Sequence, residues 1–222
     1  MTPIGKLWTV SYQPTGMRIR AIAAFCGLSL EIPDNFNFPV DNRSPEFESK
    51  FLSGMIPAFQ GNDGFCLFET TAIAEYVASL APDSGLLSAS PKELALIHQW
   101  VSYADTEIGR YTNQTVKLLY SGPLYNKETH EQLTGYQTRS FDALEKHLSN
   151  RTFFVSDRIT LADITMASVL SSALEHTLDA ALRAKYPNII EFYERIINHP
   201  NMKDINWARE YIEKAREYVP KE

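Results

Sequence analysis

The chain has 222 residues, 44% of them hydrophobic and 22% charged, with a formal net charge of −6. That is apolar mass for one domain or two small ones with a real core. The acidic balance argues against nucleic acid as the main partner, and no apolar run approaches the ~20 residues of a membrane span.

The opening residues "MTPIGKLWTV" lack the apolar core and cleavage site of a signal peptide. "KLWTVSY" (6–12) is rich in aromatic and β-branched residues and reads as a strand. In "GMRIRAIAAFCGL" the residues Ile19, Ile22, Ala23 and Cys26 fall at helical spacing, and Gly27 suits the C′ position. A less regular piece runs through "EIPDNFNFPVDNRSPEF". Next, "IPAFQ" and "GFCLF" flank Gly61–Asn62–Asp63–Gly64, a hairpin turn. "TTAIAEYVASL" reads as a helix with a stripe of Ile73, Val77 and Leu80. Residues 1–80 thus read as a small α/β unit.

Residues 81–90, with Pro82, Gly85 and three serines, read as a linker. From residue 91 to 222 only helices are expected. The first opens on Pro91, with the stripe Leu94, Ile97, Val101, Ala104 and Ile108. "KETHEQLTGYQTRSFDALEKHL" is a second. "TLADITMASVLSSALEHTL" is apolar enough to be the central buried helix, and "NIIEFYERIINH" is stopped by Pro200. "AREY" occurs at 208–211 and again at 215–218, a spacing that suits one side of a solvated helix. In "RITLADI", Thr160 and Asp163 are placed for a capping box, with Ile159 and Ile164 as the staple. That is a structural device, not a catalytic one.

Other chemistries find no support. The five histidines are widely spaced, so no metal motif appears, and there is no Walker loop, GxGxxG or GxSxG. Cys26 and Cys66 are too few and too far apart for a disulfide framework or a redox pair. They read as reduced, mostly buried thiols of a cytoplasmic protein.

The α/β-then-helical order, with "MIPAF" before a hairpin and "FETTAI" opening a helix, resembles the cytosolic glutathione transferase family. The resemblance covers nearly the whole chain. It implies a thioredoxin-like domain followed by an all-α domain, and glutathione as co-substrate with no metal. It also bears on Pro57, which sits among apolar residues although proline cannot join a sheet ladder. The family has a cis bond at the matching residue. The backbone of Ile56 is then left to pair with the cysteinyl part of glutathione. Thr70 lies at a helix start, which suits a carboxylate, and Glu69 beside it suits an ammonium. The γ-glutamyl end of glutathione carries both. The alternative is that Glu69 and Thr70 only cap the helix. Met55 stands where many relatives carry lysine, and Lys50 or Arg43 is the substitute.

"NRSPEF", "IPAFQGNDGFC", "ETTAIAEYVAS", "WVSYAD" and "RTFFVSDRITLADIT" are also similar to the transferase-like N-terminal region of elongation factor 1B gamma and to related stand-alone fungal transferases. The gamma subunit continues through a lysine-rich linker, whereas this chain ends "REYVPKE". The expectation is a stand-alone enzyme that conjugates hydrophobic electrophiles or reduces peroxides. The alternative is an assembly module of the elongation factor with little catalysis.

The family activates the thiol with a hydroxyl near the end of the first strand. Ser11, Tyr12 and Thr15 are the candidates. "VSYQPTGMR" resembles the tyrosine-type classes, which favours Tyr12, while counting back from Arg18 as in the serine-type classes favours Thr15. The resemblance places a hydrophobic-substrate site between the two units, with Tyr103, Glu107, Tyr111 and Trp207 as walls. It also implies a homodimer, through the helix containing Glu75 and Tyr76 and the helix containing Asp105.

Overall fold

The computed structural model describes residues 2–208 and 210–218. They divide into two compact units, one within Met1–Ser88 and His199–Asn206, the other within Ala89–Asn198 and Trp207–Glu222.

The first unit is built on an antiparallel sheet in the order β1 (Gly5–Trp8), β2 (Ala58–Gly61), β3 (Cys66–Phe68). The Gly61–Gly64 turn joins β2 to β3 as expected, and Gly64 takes a positive φ of 88°. The irregular stretch before Pro33 runs beside β1. Leu7 N–H donates to Glu31 O at 2.8 Å and Glu31 N–H to Gly5 O at 2.9 Å. The first strand is shorter than the 6–12 expected. Ser11 and Tyr12 form a turn, because Pro14 starts helix α1 (Pro14–Phe25) so soon after the strand.

Helix α1 buries Ile19, Ile22 and Ala23, and Gly27 follows its end at a positive φ of 66°. Gly16 is needed for a close approach: a Cβ there would lie 1.7 Å from Thr9 Oγ1. α1 packs on α3 (Thr70–Ser79). In α3 the buried positions are Ile73, Ala74, Val77 and Ala78, while Leu80, expected in the stripe, is 42% exposed just past the helix end. Glu75 and Tyr76 do not simply face water. Both are half-buried, and the Tyr76 ring packs on Phe59 and Phe65 at 5.5 and 5.2 Å. A short helix α2 (Pro45–Lys50), capped by Ser44 Oγ accepting from Phe47 N–H at 3.2 Å, was not anticipated. Its Phe47, with Phe51, Ile56 and Ala58, forms a second apolar cluster with Trp8, Phe36 and Phe38 against it. Cys26 and Cys66 are free and half-buried.

The second unit is helical: α4 (Pro91–Tyr103), α5 (Arg110–Leu119), α6 (Lys127–Leu148), α7 (Leu161–His176), α8 (Ala180–Lys185) and α9 (Pro187–Ile197). A π-helical turn over Ala104–Gly109 joins α4 to α5 without a break. Ile97, Val101, Ala104 and Ile108 are buried as their spacing predicts. α7 is the buried helix. Apart from Ser172, every residue from Leu161 to Leu174 is inside. At its start Asp163 Oδ2 accepts from Thr160 N–H at 2.8 Å and from Thr160 Oγ1–H at 2.7 Å, while Oδ1 accepts from Phe154 N–H at 2.9 Å. Ile159 and Ile164 flank the cap as buried residues. A buried Gln137 carboxamide ties α5 and α7 to α6, donating to Thr112 Oγ1 at 2.6 Å and to Thr177 Oγ1 at 3.0 Å.

The repeated "AREY" does not lie on a helix. Tyr211–Tyr218 is irregular, and Arg209 of the first copy lies outside the described residues. Tyr218 of that tail stacks on Tyr125 at 4.2 Å, and Tyr211 packs edge-on to Tyr193 at 6.2 Å.

Candidate active site

The sheet register gathers three segments at one end of the first unit. Trp8 pairs with Ala58, and Ala58 with Phe68. The end of β1, the start of β2 and the end of β3 therefore lie side by side. Just beyond them come Ser11–Thr15, Met55–Pro57 and Glu69–Thr70. Residues far apart in sequence are brought together by two antiparallel pairings.

The Ile56–Pro57 bond is cis, and so is Phe38–Pro39, which was not foreseen. Ile56 is 7% exposed. Its N–H has no hydrogen-bond partner among the described residues. Its C=O is engaged: Gln13 Nε2–H donates to it at 2.8 Å. The Gln13 carboxamide is itself held, with Thr9 Oγ1–H donating to Gln13 Oε1 at 2.9 Å. The preceding loop is fixed from the other side. Asn42 Nδ2–H donates to Gly54 O at 2.7 Å and Gly54 N–H to Phe51 O at 2.8 Å. Asn42 is buried, and its Oδ1 has no partner among the described residues.

Glu69 sits immediately before α3 with φ 70° and ψ 121°, the sole described non-glycine residue with positive φ. Its carboxylate is exposed and makes no capping bond to the helix, which removes the simple capping role. Thr70, half-buried, is the first helical residue. The α3 start thus offers the partial positive charge of a helix N-terminus, with one carboxylate next to it. That combination suits a ligand group carrying both an ammonium and a carboxylate.

The two candidate cations separate. Arg43 lies against the loop, where a Cβ on Gly54 would be 3.0 Å from Arg43 Nη1, and its contact with Glu48 is a loose 3.9 Å. Lys50 is paired with Glu46 at 3.2 Å and lines another cleft, of about 440 Å³, with Trp8, Phe36, Phe47 and Phe51. Neither Ile56, Glu69 nor Thr70 lines that cleft. Met55 is 51% exposed beside Ile56. Among the hydroxyls, Tyr12 is 78% exposed, Ser11 is exposed and Thr15 is half-buried in the first turn of α1. None of the three side chains has a hydrogen-bond partner among the described residues.

In the second unit, Tyr103 and Glu107 share a cleft of about 490 Å³ with Gln99, Ser102, Thr106 and Arg139. Glu107 Oε2 accepts from Arg139 Nη2–H at 2.8 Å, and burial raises the Tyr103 phenol above its ordinary pKa. Tyr111 packs instead on Tyr136, and Trp207 is buried. Asp105, expected off the core stripe, is half-buried. Among the described residues no group of three or more His, Cys, Asp or Glu is placed to hold a metal. No described helix is long and apolar enough to cross a membrane.

The family model for the glutathione S-transferase N-terminal domain matches residues 3–79, and that for the C-terminal domain matches residues 111–200. The chain belongs to the glutathione S-transferase family. The N-terminal match contains Ser11–Thr15, Arg43, Lys50, Met55–Pro57 and Glu69–Thr70. Among curated proteins, the glutathione S-transferase-like protein FUS3 of Gibberella moniliformis is 36% identical over 97% of this chain and 98% of its own length. Elongation factor 1-gamma of Danio rerio is 34% identical over 98% of this chain, which spans about half (49%) of that protein. Among solved structures, the glutathione transferase URE2P6 of Phanerochaete chrysosporium, in complex with oxidized glutathione, superimposes with a TM-score of 0.83. It is 20% identical, over 91% of this chain and 94% of that one, and so speaks for the fold of this transferase family member.

Sequence reasoning missed Gln13 and Asn42. Gln13 before Pro14 reads only as a residue at a helix start. Its contact lies 43 residues downstream and leaves no local pattern. Asn42 sits in a loop, and nothing near it in sequence points to Gly54.

Proposed function

We propose that the chain is a glutathione transferase, joining the thiol of glutathione to hydrophobic electrophiles or using it to reduce peroxides. The observation that carries this reading is the Ile56 N–H, unpaired among the described residues in a residue 7% exposed, two positions before Ala58, which pairs with Phe68 next to Glu69. In this reading the cysteinyl carbonyl accepts from Ile56 N–H. The γ-glutamyl carboxylate meets the start of α3, and its ammonium meets Glu69. Arg43, next to the Gly54–Met55 loop, takes the glycyl carboxylate.

The thiol, with an ordinary pKa near 8.5, must be held as thiolate. A hydroxyl from Ser11–Thr15 donates to the sulfur and stabilises that charge. Tyr12→Phe and Thr15→Val separate the donors: the variant whose bound glutathione loses its thiolate absorbance near neutral pH has lost the activating group. Calorimetric titration with glutathione, followed by assays on an aryl halide and on a hydroperoxide, tests the whole. Micromolar to millimolar binding with turnover of either substrate is expected. No binding would overturn the reading.

A second reading is an assembly module like elongation factor 1-gamma, favoured by the whole-chain similarity to that protein and by a Tyr12 ring that is 78% exposed. Glutathione binding without turnover of either substrate would support it.

We further propose a homodimer, a two-fold contact that must be self-complementary and bury at least ~1,000 Å². Sedimentation at micromolar concentration should give about twice the 25.2 kDa chain mass. A single-chain mass persisting at high concentration would reject it.

A further inference from the structure

Gln13 lies between Tyr12 and Pro14, yet its side chain reaches across to the start of β2. Its carboxamide is clamped at both ends, by the Thr9 hydroxyl at 2.9 Å and by Ile56 C=O at 2.8 Å. Thr9 is 5% exposed and sits tight against Gly16, so the clamp is anchored in the core. A primary carboxamide N–H donating to a strand-edge carbonyl has the chemistry of a peptide N–H doing the same. The contact imitates one half of a strand pairing.

Two roles fit such a contact: a brace for the loop, or a stand-in for a ligand. The other bonds decide between them. The loop is already held by Asn42 to Gly54 O at 2.7 Å and by Gly54 N–H to Phe51 O at 2.8 Å. On the far side Ala58 is fixed in the sheet between Trp8 and Phe68. A further bond at Ile56 adds little to that, so a brace is redundant. Ile56 N–H, by contrast, is left unpaired beside it. A ligand amide that uses both groups of Ile56 finds one vacant and the other occupied.

We propose that Gln13 is an internal competitor that a peptide thiol must displace to complete its pairing with Ile56, and that it thereby sets the affinity and selects ligands carrying a peptide N–H. This rests on the reading of Ile56 as the partner of glutathione's cysteinyl unit. The incoming amide N–H takes over the Ile56 oxygen, and Gln13 swings away with its neighbours. Gln13 follows Tyr12 and lies two residues before Thr15, so occupation of Ile56 is coupled to the segment that carries the candidate hydroxyls. A ligand without that N–H leaves Gln13 where it is and gains nothing from the carbonyl.

The test is calorimetric titration of the full chain with glutathione and with glutathione methylated on the cysteinyl amide nitrogen. Gln13→Leu removes the competing donor at similar volume. It should bind glutathione roughly five- to tenfold more tightly, the equivalent of one net hydrogen bond no longer broken on binding. The gain should vanish for the N-methylated ligand, which has no hydrogen to give. Thr9→Val keeps the shape of the buried side chain and frees one end of the clamp, so it should tighten glutathione binding by about twofold. It is the informative variant if Gln13→Leu does not fold. Unchanged or weaker glutathione binding in folded variants, with a wild-type chain that binds, overturns the competitor and leaves the transferase reading standing. Absence of binding by the wild-type chain and by both variants overturns the two together.

Discussion

Asp163→Ala should destabilise the second unit by about 3–5 kcal/mol, because it takes the acceptor from three buried donors. The carboxylate is fully buried and accepts from Thr160 N–H, Thr160 Oγ1–H and Phe154 N–H. Alanine leaves all three donors without a partner, and each buried unsatisfied group costs roughly 1–3 kcal/mol. It also loosens the loop before α7, since Phe154 is anchored through this residue. Urea denaturation followed by circular dichroism measures the loss. A change under ~1 kcal/mol would mean that water replaces the carboxylate. The pH dependence has a definite sign. Burial raises the Asp163 carboxyl above its ordinary value, against the pull of the Thr160 and Phe154 bonds. A raised folded value means that the stabilising contribution is full below the unfolded pKa near 4 and is lost as pH rises through the folded one. The gap between wild type and Asp163→Ala should therefore widen as the pH is lowered from neutral.

Glu69→Ala combined with Thr70→Ala should weaken glutathione binding by more than tenfold. Charge-assisted hydrogen bonds are worth roughly 1.5–3 kcal/mol each, so even one lost contact exceeds a factor of ten. The fold should persist, because the Glu69 carboxylate makes no capping bond and Ile73 N–H bonds the Glu69 backbone carbonyl rather than its side chain. Unchanged affinity in the folded double variant would remove this pair from the site.

What could be read in the sequence follows from how local its cause is. The Gly61–Gly64 turn, the Gly27 helix end, the Thr160–Asp163 cap and the span of α6 each depend on residues within a few positions, and each was legible. The stripe Ile97, Val101, Ala104 and Ile108 was legible too, but the π-helical turn over Ala104–Gly109 was not, since one extra residue per turn barely shifts an apolar pattern. α2 has six residues, too few to show a period. Leu80 looked like core because the stripe was extended past the last turn of α3.

The candidate site was legible only through combined motifs. "MIPAF" and "FETTAI" carry their meaning together, because the pairing of Ala58 with both Trp8 and Phe68 makes them neighbours. The choice between Lys50 and Arg43 could not be made from spacing. It depends on the turn Asp41–Arg43 lying against the Gly54 loop while Lys50, at the end of α2, lines the cleft with Trp8. The Gln13 contact depends wholly on tertiary structure.

The backbone at Glu69 has a further implication for how this chain tolerates change. A φ of 70° is costly for any residue with a Cβ, by roughly 1–3 kcal/mol, and nearly free for glycine. Selection for thermal robustness alone would favour glycine at this position, and selection for ligand capture would favour the carboxylate. The two demands oppose each other at one residue. A lineage under the first demand alone would drift toward glycine there and grow sturdier as it did so, whereas a lineage under the second would keep glutamate and bear the strain.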